Sequence, residues 1–316
     1  MLSIILLSYF SGERIVHAYQ RLSRLMDQES IPYELIVIDD GSTDNSFETA
    51  KKLASQHSNV KAYRLSRNFT SHYSIFAGLS VCSGSCATTI SDDEQQPYAV
   101  LVTMYRLWEK GNHVILPHRI GRNDGPITNL LANLYYRIVN YLSDITFPPG
   151  GADSFFIDRE VIDLINTKIH AINTSVITEV LRMGFEPVFV PYIREKGTNQ
   201  QSRWTLKKKI RLFKDTFYSC STAPIKMITR LGLLFSGIAL VMVALYSYIA
   251  IWGNPKFWGE KLPGWTSTIV IISFFSGIIL FSLGIIAEYI WRIYEEVKGR
   301  PGYIIRKDGD KPAGSP

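Results

Sequence analysis

The chain has 316 residues, enough for one large domain or two ordinary ones, and it carries 34 lysines and arginines against 28 aspartates and glutamates. The formal charge of +6 suits an anionic partner such as phosphate groups or a membrane surface, and it does not call for nucleic acid. The three cysteines are an odd number without metal-ligand spacing, which argues against a disulfide framework, so we interpret Cys82, Cys86 and Cys220 as small buried side chains.

Apolar, β-branched runs alternate with amphipathic helical segments through the first 120 residues. The first run lacks a basic leader region and a cleavage site, so it predicts a strand and not a signal peptide. Strands that alternate with helices predict an α/β domain with a mostly parallel sheet. The predicted strands are Ser3–Tyr9, Glu34–Asp39, Val60–Leu65, Cys86–Ile90 and His113–Pro117.

Two acidic clusters stand directly after predicted strands. Residues 39–42 (Asp-Asp-Gly-Ser) follow the second strand, and residues 91–94 (Ser-Asp-Asp-Glu) follow the fourth. Ligands of parallel sheets bind at the carboxyl ends of strands, which favours a nucleotide site here. The first cluster also suits a plain turn in which Ser42 or Asp44 caps the next helix, and that alternative stays open.

The second half of the chain becomes mostly helical, with further strand-like stretches at 153–157 and 187–193. The basic stretch at 203–219, "RWTLKKKIRLFKDTFYS", places much of its apolar set on one helical face. This pattern predicts an interfacial helix on anionic lipid, with an ordinary amphipathic surface helix as the alternative.

Two long runs, Leu231–Trp252 and Thr266–Ala287, contain no charged residue. Each is about 22 residues, or roughly 33 Å as a helix, which is enough to cross the core of a bilayer. We interpret them as two transmembrane helices in preference to a buried hairpin, because few soluble helices stay apolar on every face. Lysines and arginines concentrate outside this pair and not in the short loop between the runs, so both flanks are expected in the cytoplasm.

Five segments resemble the inverting family 2 glycosyltransferases, and more narrowly the membrane branch that charges polyprenyl phosphate. They occur in order between about residue 3 and residue 305, and they are "YELIVIDDGSTDNS", "LSRNFTSHYSIFAGL", "SDDEQQP", "HRIGR" and "GIIAEYIWRIYEEVKGRPGYII". Dolichyl-phosphate mannosyltransferases and bacterial undecaprenyl-phosphate glucosyltransferases belong to that branch. The resemblance implies a GT-A fold, a Rossmann-like sheet that binds a nucleotide-sugar across its strand ends.

The resemblance also implies roles for residues that match the family's motifs. It implies that Asp93 and Gln95 hold Mg²⁺ or Mn²⁺ on the donor diphosphate, with Asp93 counted among the catalytic groups. Asp153 matches an aspartate proposed as catalytic base. Because a phosphate acceptor is already largely ionised at neutral pH, the alternative role for Asp153 is to position the acceptor or the metal. The residues implied in nucleotide-sugar binding are Tyr9, Asp39, Asp40, Asp92, Arg119 and Arg122, and Arg203 is implied for the acceptor phosphate.

The sequence departs from the family pattern at two places. Ser91 stands where the family has the first acid of its metal motif. The first loop, residues 7–13, keeps Tyr9 but not the family's Asn-Glu pair unless Glu13 takes that place, so the nucleotide base is left unassigned.

The expected activity is inverting transfer of a sugar from a nucleotide-sugar to a polyprenyl phosphate, with undecaprenyl phosphate as the expected carrier. We expect a homo-oligomeric, multi-pass protein of the inner (plasma) membrane, with its catalytic domain and both termini in the cytoplasm. The expected division is a catalytic domain at 1–203, a basic interfacial region at 204–226, a transmembrane hairpin at 227–290 and a tail at 291–316.

The sequence leaves two alternative functions open. The "QQSRW" string at 200–204 fits the Gln-x-x-Arg-Trp pattern of processive polysaccharide synthases, although those enzymes have more membrane spans. A catalytically inactive membrane adaptor is the other alternative, suggested by Ser91 and the altered first loop.

Overall fold

The computed structural model describes residues 1–93, 96–121, 140, 145–148, 151–152, 154–193, 225–235, 237–238, 241 and 264–306. The chain divides into two compact units, one of Met1–Cys220 with Arg300–Pro316 and the other of Ser221–Gly299. We call the first the catalytic unit, after the catalytic domain that the sequence predicts, and the second the helical unit. The predicted division at 203, 226 and 290 stays a prediction.

The catalytic unit is an alternation of strands and helices, as the sequence pattern predicts. Each strand is an apolar run, and helix α1 has an apolar face that buries residues such as Ile15 and Leu22. The elements, in chain order, are β1 (Leu2–Ser8), α1 (Arg14–Gln28), β2 (Tyr33–Asp39), α2 (Ser46–Gln56), β3 (Val60–Arg64), α3 (Ser71–Val81), β4 (Cys86–Ser91), α4 (Ala99–Glu109), β5 (Val114–Gly121), β6 (Phe156–Asp158), α5 (Arg159–Lys168), α6 (Val176–Arg182) and β7 (Val188–Ile193).

The strands form one seven-stranded sheet in the order β3-β2-β1-β4-β6-β5-β7. The pairings β1–β2, β1–β4, β2–β3 and β5–β7 are parallel. Strand β6 pairs antiparallel with both of its neighbours. The mostly parallel sheet is therefore confirmed, as a mixed sheet with one reversed strand.

Helices cover both faces of the sheet, and side chains of β1 alternate between the two faces. Leu2, Ile4 and Leu6 belong to a core cluster with α1 and α4, while Ile5 belongs to a cluster with α3 and α5. Because both faces are buried, these strands are nearly continuous apolar runs, which made them predictable to within two residues.

Strand β5 is longer than its apolar run predicts. The prediction ended at Pro117, but His118, Arg119 and Gly121 continue the parallel pairing with β7. A register irregularity lies between Arg119 and Gly121. Arg119 is therefore part of the strand, whereas the sequence placed it in the loop after it.

The segment Arg300–Arg306, which we call the C-terminal edge segment, returns to the catalytic unit. It runs antiparallel to the end of β3, where Leu65 pairs with Ile305. The Ser66 N–H donates to the carbonyl oxygen of Ile304 at 2.9 Å, and the Arg306 N–H donates to that of Arg64 at 2.8 Å. The sheet edge at β3 is thus extended by a piece of chain from the far end of the sequence.

The helical unit contains helical residues 225–235 and a 34-residue helix, α7 (Gly264–Val297). The Phe235 ring lies 5.8 Å from that of Phe274 and 5.5 Å from that of Phe275, so the two helical stretches pack through aromatic side chains. Among the described residues one helix, Phe274–Val297, has the length and apolar character to cross a bilayer. The predicted run at 231–252 is described only in part, and the basic stretch at 203–219 lies outside the described residues.

Candidate active site

The carboxyl ends of β2, β1 and β4 lie side by side at one edge of the sheet. Ser8 at the end of β1 is in register with Asp39 of β2, and Leu7 is in register with Ser91 of β4. Neighbouring strands are spaced by about 4.8 Å, so the ends of β2 and β4 are about 10 Å apart. Chain order reverses between β1 and β4, and parallel sheets bind their ligands outside such a reversal.

Asp39 is fully buried and organises the turn that follows β2. Its carboxylate accepts hydrogen bonds from the Ser42 hydroxyl and from the Ser42 N–H at 3.0 Å, and the Arg64 Nε lies 3.5 Å away. Burial raises the pKa of Asp39, against the lowering effect of the Ser42 bonds and Arg64. Arg64 also donates to the Ser42 carbonyl oxygen, so it holds the turn at two points.

Asp40 joins the same turn to the loop before α3. Its two carboxylate oxygens accept from the backbone N–H groups of Phe69 at 2.7 Å and Thr70 at 2.9 Å. Burial raises the pKa of Asp40 to about 6, although these two bonds favour the ionised form. Both aspartates are bonded to protein groups in this way, and their assignment to the nucleoside stays a prediction.

Gly41 allows the turn and the loop to approach each other this closely. Its φ is +70°, and a Cβ there would lie 2.5 Å from the carbonyl carbon of Arg67. That neighbour is backbone and cannot rotate away, so only glycine fits the position.

The β1–α1 loop, residues 9–13, is tied to the turn after β2 and to the start of α2. The Phe10 N–H donates to the Ser42 hydroxyl at 3.0 Å, and the N–H groups of Ser11 and Gly12 donate to the Ser46 hydroxyl at 2.8 and 2.9 Å. The Tyr9 and Phe10 rings meet edge to face with centroids 4.5 Å apart, which keeps Tyr9 at the strand end where the sequence placed it. Glu13 is exposed at the start of α1, and other residues of this loop make the contact to the β4 acids.

Asp92 is the point where the first loop meets the acidic loop after β4. Its Oδ2 accepts from the Ser11 hydroxyl at 2.6 Å and lies 2.8 Å from Arg14 Nη2. The same Nη2 donates to the Phe10 carbonyl oxygen at 2.6 Å, so one guanidinium bridges the two loops. Sequence reasoning missed Ser11 and Arg14, and its only signal was that this loop departs from the family pattern.

Ser91 and Asp93 form a second contact in the acidic loop. The Ser91 hydroxyl donates to Asp93 Oδ1 at 2.5 Å, so the residue that replaces the family's first acid orients the next carboxylate. Asp92 and Asp93 offer oxygen ligands at a strand end, and such donors fit Mg²⁺ or Mn²⁺. Gln95, the other predicted ligand, lies outside the described residues.

Of the remaining predicted site residues, the structure describes Arg119 and the surroundings of position 153. Arg119 is half-buried, and its Nε donates to the Tyr192 hydroxyl at 3.3 Å. Next to position 153, the Ser154 hydroxyl donates to Gln96 Oε1 at 2.7 Å, which links that stretch to the acidic loop. The predicted site residues outside the described part of the chain are Arg122, Asp153 and Arg203, besides Gln95.

A further group of possible metal ligands lies at the opposite end of the strands. The ligand atoms of His113, Asp158 and Glu160 lie within 4.8 Å of one another. His113 precedes β5, and Asp158 is in register with the first residue of β4, so this group is remote from the strand ends that carry Asp92. Asp158 also caps α5 by accepting from the Val161 N–H at 3.1 Å, which gives it a structural role.

Comparison with known proteins finds glycosyltransferases that are similar to this chain over nearly its whole length. The sequence model described as glycosyl transferase family 2 matches residues 3–165. An uncharacterized glycosyltransferase, YkcC of Bacillus subtilis, is 32% identical over 96% of this chain and 93% of its own. A prophage-derived bactoprenol glucosyl transferase of Shigella flexneri is 30% identical over 94% of this chain and 95% of its own.

Among solved structures, a mannosyltransferase of Pyrobaculum calidifontis in complex with GDP-Man and Mn²⁺ aligns with a TM-score of 0.44. Its sequence identity is 12%, over 93% of this chain and 87% of that chain. The family match spans just over half of the chain, and the two bacterial relatives align almost from end to end. The chain is a glycosyltransferase and belongs to glycosyl transferase family 2.

Proposed function

We propose that this enzyme transfers a sugar, with inversion, from a nucleotide-sugar to a polyprenyl phosphate such as undecaprenyl phosphate at the cytoplasmic face of the membrane. The Shigella flexneri relative is named for the transfer of glucose to bactoprenol, and it aligns with 94% of this chain, the C-terminal helical part included. The acceptor class therefore comes from a relative that shares both units and not only the catalytic one.

One observation carries the donor part of the proposal: acidic side chains converge at the carboxyl ends of neighbouring strands. Asp39 ends β2 and Asp40 follows it, while Asp92 and Asp93 follow β4 on the other side of β1. A nucleotide-sugar that lies across β1 has its nucleoside near β2 and its diphosphate near β4. Arg119 in β5 lies two strands beyond β4 in the sheet, because β6 stands between them, and we assign it to phosphate oxygens.

Asp93 and Gln95 are the residues that would hold a divalent cation. When bound there, Mg²⁺ or Mn²⁺ supplies positive charge that offsets the diphosphate of the donor. Arg14 and Ser11 hold Asp92 toward the first loop, so we assign Asp92 to shaping this site and Asp93 to the ligand position.

The protein's share of the chemistry is chiefly positioning and charge. The second pKa of a phosphate monoester is about 6, so the acceptor is largely ionised at neutral pH and needs little help from a base. We therefore assign Asp153 to orienting the acceptor phosphate, and Arg119 and Arg122 to stabilising the departing nucleoside diphosphate. Attack from the side of the sugar opposite the diphosphate gives inversion, and we assign Arg203 to the acceptor phosphate.

The path of the chain supports the two predicted membrane spans. The chain leaves the catalytic unit after Cys220 and re-enters it at Arg300. A segment that starts and ends in one compact unit crosses a bilayer an even number of times, and two crossings fit the two uncharged runs. Orientation, residence in the inner membrane and a homo-oligomeric state are further parts of the proposal.

The test is to incubate detergent-solubilised full-length protein with undecaprenyl phosphate, Mn²⁺ and a panel of UDP- and GDP-sugars, and to detect lipid-linked sugar by mass. We expect one sugar per lipid. Asp93→Ala is expected to lower the rate by at least about a hundredfold. The control, Asp163→Ala, removes an exposed acid on α5 and is expected to keep full activity.

The same assay decides against the proposal in several ways. Products with many sugars per lipid would favour a processive synthase, and lipid binding without turnover of any donor would favour an inactive adaptor. Full activity of Asp93→Ala would overturn the metal assignment, and transfer to water or a soluble alcohol alone would overturn the acceptor.

A further inference from the structure

The C-terminal edge segment pairs with the end of the outer strand, β3. Strand β3 is the last strand on its side, so its backbone groups have a sheet partner only in β2 until another segment pairs with them. Two backbone hydrogen bonds, Ser66 N–H to the Ile304 carbonyl and Arg306 N–H to the Arg64 carbonyl, provide that partner at the end of β3.

Side-chain packing shows that this junction is closely fitted. A Cβ added at Gly302 would lie 2.8 Å from the ring of Tyr73 on α3 and 3.0 Å from the Cβ of Ala171. Tyr303 and Ile305 pack against the core cluster that includes Ile38 of β2 and Leu65. The segment therefore fits a shaped surface formed by α3, β3 and the stretch after α5.

The residues that the segment pairs with are also those that hold the acidic turn after β2. The carbonyl oxygen of Arg64 accepts a hydrogen bond from the Arg306 N–H of the edge segment, while the Arg64 guanidinium contacts Asp39 and the Ser42 carbonyl. One residue past Ser66 begins the loop of Arg67–Thr70, whose last two N–H groups bond to Asp40. The edge segment thus fixes the chain on both sides of Leu65, and that chain fixes both aspartates.

We propose that the C-terminal edge segment is a positioning element of the donor site: by pairing with the end of β3 it holds Arg64 and the loop of Arg67–Thr70, and through them Asp39 and Asp40. This inference rests on the proposed function where it takes the Asp39–Asp40 edge to be the donor side. The segment acts without touching the substrate, so its loss is expected to weaken donor binding more than the chemical step.

The test compares two substitutions at one residue in the full-length protein. Arg306→Pro removes the N–H that bonds to Arg64, whereas Arg306→Ala keeps that N–H and removes only the side chain. Hydrogen–deuterium exchange read by mass spectrometry reports the Phe69 and Thr70 amides. We expect exchange about tenfold faster in Arg306→Pro, unchanged exchange within α5, and less than about twofold change in Arg306→Ala.

A second variant and a kinetic measurement test the proposal even if Arg306→Pro does not fold. Gly302→Val pushes the segment off Tyr73, and we expect it to accelerate the same amides even if Arg306→Pro fails to fold. We expect Arg306→Pro and Gly302→Val to raise the KM for the nucleotide-sugar that the wild type uses about fivefold or more. The kcat is expected to change less than about twofold. Unchanged exchange in both variants would overturn the coupling, and faster exchange with an unchanged KM would overturn its role at the donor site. If the wild-type chain turns over no donor, the proposed function fails while the exchange result still decides the coupling.

Discussion

The Ser91 hydroxyl donates a hydrogen bond to the carboxylate of Asp93, with 2.5 Å between Oγ and Oδ1. The residue that departs from the family pattern therefore orients the predicted ligand without adding a second negative charge beside it. Two acids in close contact repel each other, and a hydroxyl avoids this repulsion while still fixing the carboxylate.

Removal of the Ser91 hydroxyl tests that orienting role. Ser91→Ala is expected to lower the transfer rate at limiting donor by about threefold to tenfold, the range of one hydrogen bond worth about 1 kcal/mol. Ser91→Thr keeps the hydroxyl and is the matched control, expected to stay within about twofold of the wild type. An unimpaired Ser91→Ala enzyme would show that Asp93 needs no such orientation.

The bridge between Arg14 and Asp92 should appear as energetic coupling. Their side chains are 25% and 11% exposed, so we expect a coupling free energy of about 1 kcal/mol in a double-mutant cycle of Arg14→Ala and Asp92→Asn. The readout is urea unfolding of the detergent-solubilised protein. The control cycle uses Arg106 and Glu109, which are 45% and 42% exposed, and is expected to give less than about 0.5 kcal/mol. Equal coupling in the two cycles would contradict a special role for the bridge.

Substitutions of Gly41 and Gly111 distinguish the effect of a collision with neighbouring backbone from the effect of backbone strain. Both have positive φ, +70° and +91°, but an added Cβ collides with Arg67 backbone only at Gly41 and meets nothing within 4 Å at Gly111. We expect Gly41→Ala to lower the thermal unfolding midpoint more than Gly111→Ala and to raise the donor KM, because Asp40 loses its contact with the loop. A similar fall of the unfolding midpoint in both variants would mean that backbone strain alone explains why position 41 needs glycine.

Glu34 makes stability depend on acid pH. Its burial favours the neutral form, yet hydrogen bonds from Lys61, Ser3 and Ser83 outweigh this and lower its pKa to about 2. A carboxyl whose folded pKa lies below its ordinary value stabilises fully above pH 4.5 and loses that contribution as pH falls toward 2, here on the order of 3 kcal/mol. The unfolding midpoint of Glu34→Gln is expected to be lower at pH 7 and to fall less between pH 5 and pH 3.

The matched variant for this pH series is Glu48→Gln, which changes an exposed acid on α2. It is expected to follow the wild-type curve within error. A Glu34→Gln curve parallel to the wild type would mean that other groups set the acid sensitivity.

Membrane topology is checked with single cysteines in a background without Cys82, Cys86 and Cys220. Asn254→Cys, between the two uncharged runs, is expected to react with an impermeant maleimide in intact cells. Ser315→Cys, near the C-terminus, is expected to react only after permeabilisation, because the positive flanks predict a cytoplasmic tail. The opposite pattern would invert the proposed orientation, and reaction of both in intact cells would mean that the second uncharged run does not cross the membrane.

The sequence predicted the parallel half of the sheet well because buried strands carry an unmistakable apolar signal. Strands β1 to β4 lie within two residues of their predicted bounds. The end of β5 was missed, since His118 and Arg119 are polar and only their pairing with β7 makes them strand residues. Strand β6, with three residues, is too short for its direction to be read from a pattern.

Site residues were predictable where they sit at strand ends and unpredictable where distant segments meet. Asp39, Asp40, Asp92 and Asp93 follow strands directly, so topology alone brings them to one edge. The Ser11 bond to Asp92 joins residues 81 positions apart, and no local pattern encodes it. The pairing of Leu65 with Ile305 is likewise a contact between distant parts of the chain, and it was not expected from the tail.

The edge segment has a consequence for how the protein is made. A ribosome that has released the first 220 residues has delivered all seven strands. The segment that pairs with the end of β3 begins 80 residues further along the chain, at Arg300, beyond both uncharged runs. An open strand edge is a site of mispairing, and in the nascent chain it stays open until the helical unit has been synthesised. The catalytic unit therefore reaches its final form only after the helical unit has been synthesised, so the enzyme is complete only when nearly the whole chain has left the ribosome.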